Sequence, residues 1–333
     1  MANTYRALVL QGGGALGAFE MGAVKALYEQ PWFRPDVITG VSIGAISAAV
    51  LTGAKAGAVA GLGLLWDRLT IPEIPFLPDP LQLLFAMPSN PGMYRINPEY
   101  IWSPAGATSI CSTAPLFSTL ADLIDLDILN SPKSPELIVT ATNIRTGLIE
   151  EFSNRRQPLG FEHIVASGSL PPSFPMTNIG EQSYWDGGLF SNTPLHGAFK
   201  SLEKLGDDED RREIYLVELF PREGEVPRNM TQVSNRMSQI AFESKIRNEI
   251  DYYARWNDTI DMIRAINADL PKDSAVRKTP LFKNFVKARK IDAVHVIRHS
   301  EPELLTGGAD FTEKSIQRRI AQGYRDTLTQ LAA

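Results

Sequence analysis

The sequence lacks the features that mark several large classes of protein. It has one cysteine and four histidines among 333 residues, so it forms no internal disulfide and shows no cluster with metal-ligand spacing. No apolar run approaches the roughly 20 residues that span a bilayer, and the N-terminal run is too short for a signal peptide. These absences predict a cytoplasmic protein without a metal or cofactor, whose contact with a membrane, where it occurs, is peripheral.

The charge balance excludes one further class of partner. The formal net charge is −5, whereas nucleic-acid-binding domains usually carry a strongly basic surface, so no nucleic-acid partner is expected. The length and the 44% hydrophobic content suit one large α/β domain, or one domain with a substantial extension. Cys111 has no neighbours that favour a nucleophile and is interpreted as a buried or idle thiol.

The first part of the chain alternates between strand-like and helix-like segments. Short apolar runs at Tyr5–Gln11 and Val37–Thr39 each lead into a glycine turn, and helical spacing follows over 18–29 and 45–51. Further strand-like runs lie at 137–142, 149–153, 214–219 and 293–297. This order predicts an α/β fold that opens with parallel strands.

The remaining segments are helical or irregular. Apolar residues recur at three- and four-residue spacings over Thr231–Leu270, which predicts one or two helices ending before Pro271, and Glu313–Leu331 predicts a C-terminal helix. Eight prolines and many apolar residues lie between Pro72 and Pro104. Two interpretations of that segment stay open, a loop packed on the core or a lid over an apolar site.

The motif Gly40-Val41-Ser42-Ile43-Gly44 fits G-x-S-x-G, the pattern of a serine nucleophile at a sharp turn between strand and helix. The glycines let neighbouring backbone approach closely. The helix that begins at Ile43 directs its first amide groups toward the negative charge that develops on an attacked ester.

A second glycine turn, Gly12 to Gly17, also lies between a strand and a helix. Its G-x-G-x-x-G spacing fits a dinucleotide-binding turn, and its backbone amides fit an oxyanion hole equally well. The first interpretation requires an acidic residue at the end of the second strand. Asp36 stands at the start of that strand and Ser42 follows its end, which favours the oxyanion hole.

A third motif, Asp186-Gly187-Gly188, supplies a carboxylate at a tight turn. A carboxylate within hydrogen-bond reach of a serine takes its proton and later activates water, although a lone D-G-G is most often an ordinary turn. His295 and His299 follow Asp186 in the chain order of a Ser-Asp-His triad, but the elbow comes after only one or two strands here, which is unusual for that fold. The four histidines, His163, His196, His295 and His299, are therefore expected to be structural.

Together and in this order, the three motifs resemble the patatin-like phospholipase family. Two flanking segments, Ala166–Pro172 and Ser191–Leu195, are also similar to family sequences. The resemblance covers about residues 6–205. It implies a three-layer α/β/α fold with a mostly parallel central sheet, and residues 206–333 are interpreted as a mainly helical C-terminal extension packed on the same domain.

The resemblance also implies a chemistry. Ser42 and Asp186 form a catalytic dyad without histidine, and the amides of Gly12, Gly13, Gly14 and Ile43 form the oxyanion hole. The expected reaction is hydrolysis of phospholipid, lysophospholipid or related acyl esters through an acyl-enzyme, without metal or cofactor. The alternatives are an oxidoreductase that binds a nucleotide at the Gly12–Gly17 loop, and a lipid-binding module without catalysis.

One position departs from the family pattern. The family usually has arginine or lysine just before the last glycine of the oxyanion loop, and this chain has Leu16. The backbone amides of the loop are unaffected by that change. Loss of the cation favours recognition of hydrocarbon over phosphate, unless another cation such as Arg95 or Arg145 replaces it.

Overall fold

The computed structural model describes residues 2–78, 81–82, 88–220, 223–224, 226–300 and 307–332. The ten strands in this part of the chain are β1 Thr4–Leu10, β2 Val37–Gly40, β3 Arg95–Ile96, β4 Cys111–Ser112, β5 Glu136–Asn143, β6 Ile149–Ser153, β7 Thr177–Ile179, β8 Gln182–Asp186, β9 Arg211–Val217 and β10 Ala293–Ile297. The main helices there are α1 Ala18–Tyr28, α2 Ile43–Gly53, α3 Ala58–Leu69, α4 Pro98–Trp102, α5 Ala114–Leu123, α6 Leu126–Leu129, α7 Phe161–Ser167, α8 Leu195–Leu202, α9 Met230–Asp269, α10 Pro280–Lys287 and α11 Glu313–Leu331.

Eight of these strands form one central sheet in the order β10-β9-β1-β2-β5-β8-β7, with β6 paired to β5 outside this path. The five strands from β10 to β5 are parallel to their neighbours, whereas β6, β7 and β8 pair in antiparallel register. The expected mostly parallel central sheet is confirmed.

Alternate residues of β1 reach two separate apolar clusters, as expected for a buried strand. Leu8 and Leu10 belong to the larger cluster, which includes residues of α1, α2, α3 and α11. Ala7 and Val9 belong to the smaller cluster, with residues of α8 and with Tyr253 of α9. Helices therefore cover both faces of the sheet, and the fold is the expected three-layer α/β/α arrangement.

The elements predicted from apolar periodicity agree with the structure within a few residues. The strands at 149–153 and 293–297 and the helix at 313–331 have the predicted bounds, and 230–269 is one helix of 40 residues. Four short strands, β3, β4, β7 and β8, were not predicted, because each spans five residues or fewer and lacks an apolar run. No helix among the described residues is long and apolar enough to cross a bilayer.

The second part of the chain contributes to the central sheet. Strand β9 pairs with β1 along its whole length, and β10 pairs with β9. Helix α11 packs against α1 with backbones in contact, since a Cβ on Gly22 would lie 2.0 Å from Ile320 O and one on Gly323 would lie 2.0 Å from Phe19 O. The extension at 206–333 thus shares its sheet and its helix packing with the first 205 residues.

The α1–α11 contact leads to a test of stability. Gly323→Ala places a methyl group against the carbonyl oxygen of Phe19, and overpacking of this kind lowers the free energy of unfolding by about 1–3 kcal/mol. The matched control is Gly63→Ala in α3, where the nearest heavy atom would be 3.8 Å from the new Cβ. The control should be neutral or slightly stabilising, because alanine favours a helix over glycine. Thermal unfolding measures both, and equal stability of the two variants would contradict the prediction.

Candidate active site

Three turns meet at one edge of the central sheet. Strands β1 and β2 are parallel and in register, with Leu10 opposite Gly40, so the glycine loop after β1 and the elbow after β2 emerge side by side. Strand β8 is antiparallel to β5 and places Asp186 opposite Ala141. The three sequence motifs, separated by up to about 170 residues in the chain, therefore come together in space.

Ser42 occupies a strained backbone conformation at the elbow. Its φ is 55° and its ψ is −125°, a region that L-residues rarely adopt and that is often found at functional sites. Its amide donates to the carbonyl oxygen and to the hydroxyl of Ser167, both at 3.1 Å. These bonds from a neighbouring segment hold the turn in place.

The two glycines of the elbow are required by close backbone contacts. A Cβ on Gly40 would lie 2.3 Å from the carbonyl oxygen of Gly44, and a Cβ on Gly44 would lie 2.5 Å from the carbonyl oxygen of Leu10. Helix α2 therefore starts directly over the end of β1. This packing brings the N-terminus of α2 and the Ser42 side chain to the sheet edge.

Asp186 is fixed by its backbone and by its carboxylate. Its amide donates to Ser169 O at 3.0 Å, and its carbonyl accepts from Thr142 Oγ1 at 3.0 Å. The carboxylate accepts from the amide of Gly188 at 2.7 Å, and the nearby Ser42 hydroxyl lowers the pKa of Asp186. The segment Ser167–Ser169 thus binds the backbone of both Ser42 and Asp186.

Burial governs the protonation of this carboxyl group. Asp186 is 2% exposed, and desolvation raises its pKa from 3.8 to about 7, against the opposing effect of the hydrogen bonds from Gly188 and Ser42. The group therefore changes its charge near neutral pH. A carboxylate of this basicity is better suited to accept a proton than an exposed aspartate is.

The glycine loop lies against the serine. A Cβ on Gly12 would be 2.9 Å from the Cβ of Ser42 and 2.5 Å from Asn192 Oδ1, so only glycine fits there. In the described part of the chain, the amides of Gly12, Gly13 and Ile43 donate to no protein acceptor. Gly14 has a φ of 57°. The loop and the start of α2 thus leave backbone donors beside the Ser42 hydroxyl.

Sequence reasoning missed the side chains that hold this loop. Asn192 is buried and donates through Nδ2 to Gly12 O at 2.9 Å. The buried Gln11 donates to Thr193 Oγ1 and accepts from the amide of Leu219, both at 2.7 Å. The only signal for Asn192 is its place in the Ser191–Leu195 segment after the aspartate.

A buried carboxyl completes this network. Glu20 Oε1 accepts from the amide of Gln11 at 2.7 Å. Burial raises the pKa of Glu20 well above its ordinary value, and the hydrogen bond from Gln11 only partly opposes this. Burial therefore favours the neutral form of Glu20, and its carboxyl group anchors the start of the loop.

A cavity of about 470 Å³ opens over the serine and the aspartate. Its size is within the range of small-molecule sites. Its wall is mainly apolar and combines both parts of the chain; the side chains that form it include Leu16, Met93, Tyr94, Ile110, Cys111, Leu170, Phe174, Phe220, Phe242 and Phe311. Ser42, Asp186, Asn192, Ser173 and Gln239 are the polar side chains at the wall.

The proline-rich segment reaches this cavity in part. Met93 and Tyr94 are buried and line it, and Asn90 donates to Leu69 O at 2.7 Å, which fixes the turn before them. Residues 79–80 and 83–87 lie outside the described residues, so the lid interpretation remains a prediction.

Cys111 is buried at the wall, and desolvation raises its pKa, which keeps the thiol protonated.

The described cavity wall carries no lysine or arginine. Leu16 lies at this wall, while Arg95 and Arg145 are exposed and do not line it. The buried guanidinium of Arg319 lies behind the loop and donates to Gly307 O, Asp310 O and Ala15 O. Its hydrogen bonds hold the loop and the segment 307–310 together.

The histidines lie elsewhere. His295 stacks on Tyr215 and His299 on Phe19, His196 is hydrogen-bonded to Tyr253, and His163 accepts from the amide of Gly160. None of the four lines the cavity. Within the described residues, no three His, Cys, Asp or Glu side chains are grouped to hold a metal ion.

Asp36, the acidic residue considered for a nucleotide ribose, lies at the opposite end of the strands. Its Oδ2 accepts from the amide of Arg6 at 2.9 Å, and its own amide donates to Arg6 O. The glycine loop follows the other end of β1. The two features of a dinucleotide site are therefore not brought together.

Comparisons with known proteins agree with this architecture. A family described as "Patatin-like phospholipase" matches residues 8–199, more than half of the chain, and a second family described as "Patatin phospholipase" matches residues 240–333. No curated protein matches the chain significantly.

Two solved structures are similar at low identity. VipD from Legionella pneumophila is 17% identical, with a TM-score of 0.45 over 98% of this chain and 67% of the matched one. The ExoU–SpcU heterodimeric complex from the type III secretion system of Pseudomonas aeruginosa is 17% identical, with a TM-score of 0.40 over 100% of this chain and 53% of the matched one. The match of the first family over 8–199 shows that the chain belongs to the patatin-like phospholipases.

Proposed function

We propose that the protein is a serine acyl hydrolase in which Ser42 is the nucleophile and Asp186 the general base. The observation that carries this proposal is that Ser42, at a strained elbow, and the buried carboxyl group of Asp186 meet at the wall of one apolar cavity. Family membership supports the hydrolysis of lipid esters in general. The dyad and the substrate preference are inferred from the geometry of this chain.

In the first step, the Ser42 oxygen bonds to the ester carbonyl carbon while its proton passes to Asp186. The strained elbow, whose Ser42 amide donates to Ser167, holds the hydroxyl at the cavity wall. The tetrahedral intermediate collapses with loss of the alcohol, which takes the proton from Asp186. The product is an acyl-enzyme on Ser42.

The carbonyl oxygen gains a negative charge in this step. The amides of Gly12, Gly13 and Gly14, together with that of Ile43, form the proposed oxyanion hole. Those of Gly12, Gly13 and Ile43 donate to no protein acceptor in the described residues, and the N-terminus of α2 adds a favourable dipole. Donors already fixed in place need no reorganisation as the charge develops.

In the second step, Asp186 removes a proton from water, which attacks the acyl carbon. The oxyanion hole stabilises the second tetrahedral intermediate, and the Ser42 oxygen leaves and regains the proton from Asp186. The products are a carboxylic acid and the free enzyme.

The substrate preference follows from the cavity wall. Apolar side chains line it and no described lysine or arginine does, so the acyl chain supplies most of the binding. Each buried methylene contributes about 0.8 kcal/mol. We therefore propose that medium or long acyl esters are preferred, with weak discrimination between head groups.

Removal of either dyad member should abolish activity. Ser42→Ala and Asp186→Asn should each lower kcat on a short p-nitrophenyl ester by roughly 10³-fold or more, and the double variant should lose little beyond either one, because the two groups act as a unit. Ser42→Ala should also lose labelling by a fluorophosphonate, which separates a hydrolase from a lipid-binding module or a nucleotide-binding enzyme.

Histidine variants are the control for the dyad. His295→Ala and His299→Ala should retain activity within about tenfold, since only stability or packing is affected. A loss in either variant as large as that of Ser42→Ala would indicate a catalytic histidine. Activity near that of the wild type in Asp186→Asn would equally refute the dyad.

The pKa of Asp186 predicts how activity depends on pH. Only the ionised carboxylate accepts a proton, so kcat/KM should rise with pH and level off above about 7, the pKa of this group. An activity profile governed by a group with a pKa near 4 would contradict the assignment. The measurement is initial rate against pH on a soluble ester with a pH-independent leaving group.

Ionisation of Asp186 should also change the free energy of unfolding, which should fall over the pH range in which activity rises. The folded-state pKa of Asp186 is raised above 3.8, so the stability it contributes is fully present below that value and is lost as pH rises to about 7. Asp186→Asn removes this dependence. The unfolding free energy of Asp186→Asn relative to the wild type should therefore increase between pH 4 and pH 7.

Head-group selectivity tests the role of Leu16. With one acyl chain, kcat/KM on phosphatidylcholine, phosphatidylglycerol and a neutral glyceride should agree within roughly tenfold. Leu16→Arg should raise the relative rate on phosphatidylglycerol, while the uncharged Leu16→Met should not. A wild-type preference for phospholipid above about a hundredfold, near 2.7 kcal/mol, requires a phosphate contact and would refute this preference without affecting the dyad.

A further inference from the structure

The first part of helix α9 exposes an apolar face. Met230, Val233, Met237 and Ile240 are 80%, 44%, 65% and 54% exposed. Their spacing of three, four and three residues places them along one side of the helix; they are called the apolar stripe below. Large apolar side chains that recur on one exposed face indicate a surface that contacts a partner.

The apolar stripe belongs to a helix that forms part of the cavity wall. Gln239 lies between Met237 and Ile240 in the sequence, and Phe242 lies two residues after Ile240. Both Gln239 and Phe242 line the cavity over Ser42. Phe242 packs on Phe220, with ring centroids 5.1 Å apart. The distance from the stripe to the cavity is therefore about the 10 Å diameter of one helix.

Other exposed apolar side chains belong to segments that line the same cavity. Leu170 lines it and is 37% exposed, which places this residue at the cavity mouth. Leu189 and Phe190 directly follow Gly188, a lining residue, and are 46% and 45% exposed. Apolar surface is thus exposed on several segments around the site.

The charge of the segment around the apolar stripe indicates which partner fits. Positions 226–242 contain two arginines, Arg228 and Arg236, and no acidic residue, although the chain as a whole has a net charge of −5. An apolar face combined with local positive charge is typical of helices that lie in the surface of an anionic bilayer.

The same features disfavour pairing with a second copy. Two stripes in contact would bring together two copies of the positively charged segment 226–242. The apolar spacing also ends after Ile240, because the next positions of the series are Ser244 and Arg247. A coiled coil requires the pattern to continue over at least about three heptads.

We propose that the apolar stripe of α9 inserts into the surface of an anionic bilayer and holds the cavity against it. Acyl esters then pass from the bilayer into the cavity, which lies on the other side of the same helix. The delivery of substrate in this inference rests on the proposed function, whereas binding to the bilayer does not depend on catalysis.

The test of binding uses Ser42→Ala protein, which leaves the lipid intact. Vesicles of phosphatidylcholine with phosphatidylglycerol should bind the protein, and Met230→Glu with Met237→Glu should lower the partition coefficient by roughly tenfold or more. The matched control is Met262→Glu, because Met262 is an exposed methionine, 55% accessible, on the same helix outside the stripe. It should bind within about twofold of the parent protein.

A second variant separates charge from apolar contact. Arg228→Gln should weaken binding to vesicles that contain phosphatidylglycerol and leave binding to pure phosphatidylcholine vesicles unchanged. Equal binding of the double stripe variant and its parent would overturn the proposal. So would a dimer in sedimentation velocity that the stripe variant dissociates, because the stripe would then contact a second copy.

The activity measurements keep this proposal distinct from the proposed function. In protein with Ser42 intact, the double stripe variant should hydrolyse a soluble ester within about twofold of the wild-type rate and vesicle lipid roughly tenfold more slowly. Equal losses on both substrates would overturn the docking role. Wild-type protein that binds vesicles but hydrolyses neither substrate would refute the proposed function and leave the docking surface standing.

Discussion

The close contact between Gly12 and Ser42 is the constraint on which the site depends. A Cβ at Gly12 would lie 2.9 Å from that of Ser42, and the elbow glycines pack on each other and on the end of β1. The glycine loop and the serine elbow therefore pack closely against each other at the sheet edge. Because no side chain fits between them, loop amides stand beside the serine hydroxyl, and the serine adopts its strained conformation.

Buried polar groups hold these turns at a cost in stability. Asp186 and Glu20 are both carboxyls whose pKa burial raises, and each is retained by hydrogen bonds from backbone amides. Asn192 and Gln11 tie the loop to segments far away in sequence. The buried carboxyl groups destabilise the fold when they are charged. Their position at the serine and at the glycine loop is typical of active sites, where a carboxylate with a raised pKa and fixed hydrogen-bond donors serve a reaction.

The second part of the chain belongs to the site as well as to the sheet. Gly308 O accepts from the amide of Ala15, and Arg319 donates to carbonyl oxygens on both the loop and the segment 307–310. Phe242 and Phe311 close the cavity wall. The loop after β1 is therefore supported by residues about 300 positions later, including Arg319 of α11.

The sequence by itself determined the strands and helices with clear apolar periodicity and the residue types of the three motifs. Glycine spacing around Ser42 and beside Asp186 reports a local requirement for close backbone approach, and apolar periodicity reports local secondary structure, so neither needs tertiary information. Only the tertiary structure decided which ordinary residues complete the site. Glu20 and Phe311 carry no local signal, and Asn192 has only its place in the Ser191–Leu195 segment, because their roles arise from contacts with residues distant in the chain. The pKa of Asp186 likewise depends on its burial by the whole fold, which no segment encodes alone.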